Sequence, residues 1–206
     1  MIEPGLWDMV MRLRQRGISD ARVMRALETV PRSRFCDPAR AYDEAALPLP
    51  CGQETLTPLL AAQMLQLADI APKSKVLVVG MGSGWLVGLA ASLARRVYAV
   101  ERFQTLLALA DANLAGAGQS ATTRWGDGLQ GWGAQAPFDR IVVAAGLESL
   151  PGELTDQVAA GGRLVAVVGG ELGTWVPDGD TPPNPKWQPL LEVDLGLAIP
   201  GQSETL

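Results

Sequence analysis

The clearest chemical signal lies at VLVVGMGSGW, where an apolar run at 76–79 ends in Gly80, Met81, Gly82, Ser83 and Gly84 before a helical stretch opened by Trp85. Gly80 permits a tight strand-to-loop turn, and Gly82 lets a ligand reach backbone N–H groups with no Cβ in the way. A second apolar run, VYAV at 97–100, ends in Glu101, 17 positions after Gly84, where a carboxylate can accept both hydroxyl hydrogens of a ribose. A dinucleotide fingerprint needs glycine at position 85, but Trp85 stands there, and the loop has no basic residue to face a phosphate. The spacing G-x-G-x-G therefore favours a ligand with a ribose and no phosphates, S-adenosylmethionine, over a nicotinamide or flavin dinucleotide. Further along, Asp127 between Gly126 and Gly128 can accept from an adenine amino group, the glycines giving the ring room. The small Ala144, Ala145 and Gly146 leave space for a ligand at the carboxyl end of the sheet.

Other chemistries are excluded or disfavoured by composition. There is no histidine among the 206 residues, which rules out Ser-His-Asp and Cys-His catalysis and a His-ligated metal. Cys36 and Cys51 are too few for a disulfide framework or a four-thiolate site, so no metal is expected and both read as reduced small hydrophobes. With 17 basic and 22 acidic residues the net charge is −5, which argues against nucleic acid as a partner. No apolar run is long enough to span a bilayer, and the N-terminus lacks the apolar stretch of a secretory signal, so the expected address is the cytoplasm, away from membranes. Oligomeric state is not readable.

The elements that position these residues follow from periodicity. Residues 6–30 carry a helical stripe and read as two short helices meeting near Gly17. Residues 31–53, with Pro31, Pro38, Pro48 and Pro50, read as an ordered loop wrapping the main body. Thr57 followed by Pro58 predicts a helix start, with Leu60, Met64 and Leu67 on its buried side. Strands are predicted at 76–79, 97–100, 121–125, 141–145 and 163–168, separated by helices at 85–94, 103–116 and 150–159. The alternation predicts an α/β fold, a doubly wound, mainly parallel sheet with an N-terminal helical and loop extension. Residues 1–58 form that extension and 59–206 the core, in one compact domain overall. A proline-rich loop at 176–189 precedes a last, edge strand within PLLEVDLGLAI. Trp7, Trp125 and Trp132 are expected in the core, and Trp85 against the sheet edge. Arg12, Arg14 and Arg16 read as a solvated basic face, and Arg32 and Arg34 as ties for the wrapping loop.

From about residue 16 to 169 the chain resembles the protein-L-isoaspartate O-methyltransferase family of Rossmann-type methyltransferases. The resemblance rests on RGISDARVMRALETVPRSRF, AYDEAALPLPCGQETLTP, VLVVGMGSGW, VYAVER, GDGLQGW, APFDRIVVAA and LPGELTDQVAAGGRLVAVVG, with VPRSRF and LPLPCGQ the most specific. It implies methyl transfer from S-adenosylmethionine, leaving S-adenosylhomocysteine, to the carboxylate of an isoaspartyl residue in a damaged protein or peptide. The ester then closes to a succinimide whose hydrolysis restores some aspartate. Cofactor contacts are implied at Gly80, Met81, Gly82, Ser83, Gly84, Glu101, Arg102, Asp127, Gly128 and Ala144. The family's acceptor segment reads approximately G-Q-T-I-S-Q-P, whereas residues 52–58 here read GQETLTP, which puts Leu56 where the acceptor-contacting serine stands. Thr55, Leu56 and Thr57 are the acceptor-site candidates. Glu54 brings a carboxylate near an anionic acceptor, and Val78 replaces an acid common beneath the glycine loop. Two other readings follow: a cofactor-binding homologue without repair activity, or a methyltransferase for a different acceptor. A nicotinamide-dependent oxidoreductase is a distant alternative.

Overall fold

The computed structural model describes residues 3, 5–177 and 187–203. Seven strands form one sheet: β1 (Lys75–Val79), β2 (Arg96–Glu101), β3 (Thr122–Trp125), β4 (Phe138–Leu147), β5 (Val158–Val168), β6 (Glu171–Trp175) and β7 (Trp187–Glu192). Their order is β3-β2-β1-β4-β5-β6-β7; pairings from β3 through β5 are parallel, and β6 and β7 add antiparallel at one edge. The strand sequence runs outward from β1 to β3 and then resumes on the other side of β1, so β1 and β4 flank the switch point.

The near-continuous apolar strands arise because both faces of the sheet are covered. Val76, Val78, Val97, Ala99, Val142 and Val165 enter one core, while the alternating Leu77, Val79, Val100, Ile141, Val143 and Leu164 enter the other. The first core is packed by helices α1 (Leu6–Gln15), α2 (Ala21–Thr29), α3 (Pro58–Ala68), α4 (Trp85–Leu93) and α5 (Gln104–Gly116). Over the second face cross the β3-to-β4 connection and the four-residue α6 (Gly152–Thr155), with Tyr98 meeting Trp132 and Phe138 edge-on.

Local chemistry explains the helix starts. Asp20 caps α2 by accepting from the N–H groups of Arg22 and Val23, and Thr57 caps α3 by accepting from Leu60 N with Pro58 in the first turn. Buried Arg32 ties the loop before α3: its guanidinium donates to the carbonyls of Ala41, Asp43, Ala45 and Leu56 and to the Thr55 hydroxyl.

Several expectations are corrected. The helix expected at 150–159 spans only Gly152–Thr155, because Gln157 turns inward to hold the loop at Gln130 and Trp132 and β5 begins at Val158. Strand β6 was not anticipated; the paired glycines Gly169 and Gly170, both at positive φ, make a hairpin turn that reverses the chain. Trp7 is 56% exposed rather than in the core, because α1 buries Leu6, Met9, Val10 and Leu13 instead. Trp125 is half-buried, its Nε1 donating to Arg102 O, and Trp85 is buried with Nε1 donating to Val30 O. Arg12 and Arg16 pair with Glu44, and Arg34 is exposed while Arg32 alone makes the tie. The last strand ends at Glu192, and most of the expected proline-rich loop lies outside the described residues.

Arg22 joins α2 to the end of α3, meeting Asp20 at 2.7 Å and Asp69 at 2.8 Å and donating to Ile70 O. Hydrogen bonds from Arg22 hold both carboxyl groups below the ordinary aspartate value. A carboxyl group depressed in the folded state adds stability above its unfolded pKa, near about 4, and loses it as pH falls through the folded value. Since the groups are partly exposed, Arg22→Met should lower Tm at pH 7 by only about 1–4 °C. In thermal melts the gap from wild type should narrow as pH drops below about 4; a gap independent of pH would contradict this reading.

Candidate functional site

A cavity of about 470 Å³ opens at the carboxyl ends of β1, β2 and β4, within the range of about 300–1,000 Å³ usual for small-molecule sites. Its floor is the glycine turn. Gly80, Gly82 and Gly84 all adopt positive φ (83°, 53° and 91°), and the turn closes through Gly84 N donating to Met81 O. The three glycines serve different ends. A Cβ on Gly84 would lie 3.0 Å from Ala110 O, so this glycine lets α4 pack on α5, whereas a Cβ on Gly82 would meet only Leu49 Cδ1 at 3.5 Å. Gly82 thus keeps a Cβ out of the approach, but its N–H, expected to face a ligand, is taken by Glu101.

The turn is held by Glu101, which is 4% exposed at the end of β2. Its Oε2 accepts from Met81 N (2.8 Å) and Gly82 N (3.2 Å), and its Oε1 accepts from Phe103 N (3.0 Å). Of the four or so lone-pair positions on a carboxylate, three are taken and one on Oε1 remains. Val78, where the resemblance leads to the expectation of an acid, is fully buried among strand neighbours, and the acceptor for the loop is Glu101. Beside it, Arg102 lies over the Phe103 ring, and its Nε and Nη1 are buried with no hydrogen-bond partner among the described residues. Asp127 accepts from Leu129 N through Oδ1 and from Gly201 N through Oδ2, leaving one position on each oxygen.

Small residues near Asp127 and in β4 divide their work. A Cβ on Gly128 would come 2.5 Å from Val79 Cγ1, so its bareness is spent on sheet packing rather than on room for a ring. Ala144 and Ala145 line the cavity. The space beside Gly146 is taken by the C-terminal segment, for a Cβ there would lie 2.6 Å from Leu195 O. That segment is the main element sequence reasoning missed. Residues 193–203 run as a strap across the strand ends, bonded to Gly146 through Gly196 O and Ala198 N, to Asp127 through Gly201 N, and to Arg102 O through Ser203 N. Residues 194–199 wall the cavity, with Leu197 and Ile199 each 57% exposed at its rim. Its short, glycine-broken apolar pattern read as strand and carried no signal of a wall.

Opposite the strap lies the loop at 52–57, all of which lines the cavity. Thr55 is buried, Leu56 is half-buried with its side chain against the first core, and Thr57 spends an acceptor position on the α3 cap. Leu56 presents no polar side chain to an acceptor. The sequence candidates for cofactor and acceptor contacts thus converge on one cavity; Gly84 alone is not among its lining residues and acts through the turn.

Comparison with known proteins gives the same direction. Residues 7–174 match the family described as protein-L-isoaspartate(D-aspartate) O-methyltransferase. A protein-L-isoaspartate O-methyltransferase of Maricaulis maris is 44% identical over 172 residues, spanning 81% of this chain and 80% of that protein. The enzyme of the same name from Xanthobacter autotrophicus is 40% identical over 203 residues, 96% of this chain and 93% of that protein. A Plasmodium falciparum structure described as a protein-L-isoaspartate O-methyltransferase in complex with S-adenosyl-L-homocysteine superposes with a TM-score of 0.82 at 20% identity, covering 93% of this chain and 97% of that one; it supports the fold.

Glu101→Gln tests the turn's anchor. One carboxylate oxygen becomes an NH2 group, which leaves a backbone N–H of Met81, Gly82 or Phe103 unpaired in a buried position at a cost of about 1–3 kcal/mol. Hydrogen exchange should accelerate at these amides and the melting temperature should fall; unchanged protection at all of them would show that Glu101 does not hold the turn.

Proposed function

From membership of the protein-L-isoaspartate(D-aspartate) O-methyltransferase family, to which this chain belongs, we propose that it methylates the carboxylate of isoaspartyl residues in damaged proteins or peptides, with S-adenosylmethionine as donor. The observation that carries this reading is the G-x-G-x-G turn locked by Glu101 at the sheet's switch point, inside a cavity of fitting size. The fit is supported by the Cβ-free approach at Gly82 and by the acceptor position left on Glu101. Gly80, Met81, Gly82, Ser83, Gly84, Gly128 and Ala144 shape the cofactor wall, Glu101 takes a ribose hydroxyl, and Asp127 keeps acceptor capacity for an adenine amino group.

The donor supplies a sulfonium methyl: a carboxylate oxygen forms the new O–C bond while C–S breaks, the electron pair stays on sulfur, and a methyl ester and S-adenosylhomocysteine result. A carboxylic acid with a pKa near about 4 is already ionised at neutral pH, so the protein needs no general base and its lack of histidine is no obstacle. What the chain must do is align oxygen, carbon and sulfur and remove water from charges that cancel during transfer. The rim residues Leu197 and Ile199 of the strap and Leu56 opposite are apolar and suited to excluding water. Residues 55–57 face the acceptor in this reading. Among the described residues, no helix is long and apolar enough to cross a membrane.

The test is transfer of radiolabelled methyl to an isoaspartyl peptide and to its aspartyl twin. Labelling of the isoaspartyl peptide alone is expected; equal labelling, or none, overturns the assignment. Leu56 in the serine position favours one rival, a cofactor-binding homologue without turnover, which calorimetry would reveal as S-adenosylhomocysteine binding with no labelling of either peptide.

A further inference from the structure

The acceptor wall lacks a hydroxyl at Leu56, yet the residue before it has an unusual hydrogen-bond state. The Thr55 hydroxyl oxygen accepts from Arg32 Nη2 at 2.8 Å and from Leu47 N at 3.0 Å. A threonine hydroxyl has two acceptor positions and one proton. Both acceptor positions are filled, so the proton occupies the remaining tetrahedral direction, and it is donated to no described group. Thr55 lines the cavity at 8% exposure, where an unpaired donor is costly unless a ligand meets it.

Arg32 makes this state durable. It is 1% exposed, lies over the Trp85 ring, and is pinned by the carbonyls of Ala41, Asp43, Ala45 and Leu56. A cationic donor on the oxygen also polarises the O–H bond toward donation. Thr57 differs on each count: among the described residues its oxygen accepts only from Leu60 N, which leaves it a lone pair for water, and it is more exposed.

We infer that Thr55 supplies the hydroxyl that orients the acceptor carboxylate in place of the missing serine, with Arg32 the positioning residue that leaves Thr55 able only to donate. This rests on the methyl-transfer reading above. The O–H is preorganised toward an anion and moves no proton during transfer.

The experiment compares the wild-type chain, Thr55→Val, Thr55→Ser and Thr55→Val combined with Leu56→Ser, using an isoaspartyl peptide at saturating S-adenosylmethionine. Thr55→Val should lose roughly 10- to 100-fold in kcat/KM, the size of a hydrogen bond to a charged group, with the peptide KM raised and S-adenosylhomocysteine affinity by calorimetry kept. Thr55→Ser should retain activity, and adding Leu56→Ser to Thr55→Val should recover much of the loss. Thr55→Val within about twofold of wild type in kcat/KM overturns the inference, as does a loss confined to cofactor affinity. Should Thr55→Val fail to fold, Leu56→Ser alone decides: a gain below about threefold supports a hydroxyl already supplied by Thr55, and a larger gain overturns it. Wild type with no isoaspartyl transfer would instead overturn the methyl-transfer reading itself.

Discussion

The site depends on a buried carboxylate at the end of β2 that fixes a glycine turn at the end of β1. Backbone bending through positive φ at Gly80, Gly82 and Gly84 has little intrinsic preference for one geometry, and glycine raises the entropy lost on ordering. Glu101 offsets this by accepting from Met81, Gly82 and Phe103, which pins both the turn and the start of α5 to one side chain. Hydrogen bonds to a carboxylate are worth more than neutral ones, so this constraint can hold the glycine loop in one shape.

From that anchor the remaining walls follow. The switch point between β1 and β4 leaves a crevice that the sheet cannot fill, and two loops from opposite ends of the chain close it. One is the loop at 52–57, fastened by Arg32; the other is the strap at 193–203, fastened at Gly146, Asp127 and Arg102. Both are held through backbone carbonyls and single polar side chains rather than through regular pairing.

Much of this was legible in the sequence because it rests on local chemistry. Strands covered on both faces are continuous apolar runs, the glycine turn needs its glycines, and Thr57-Pro58 states a helix start. What was not legible depended on contacts between distant residues. Nothing near 150–159 announces that Gln157 is claimed by Gln130 and Trp132, which ends the helix early. Nothing in the run after Glu192 says it will lie against Gly146 instead of extending the sheet. Glu101 was identified as a site residue, but its commitment to three backbone N–H groups is a property of the folded turn. The sequence marks Arg32 as a tie for the wrapping loop, and only the fold places its guanidinium on the Thr55 hydroxyl.

The central claim, a phosphate-free nucleoside cofactor seated on the turn held by Glu101, is tested most directly by calorimetric titration of S-adenosylhomocysteine in the presence and absence of a nicotinamide dinucleotide. The account predicts saturable binding of one S-adenosylhomocysteine per chain, undisturbed by the dinucleotide. No binding, or displacement by the phosphate-bearing competitor, would contradict it.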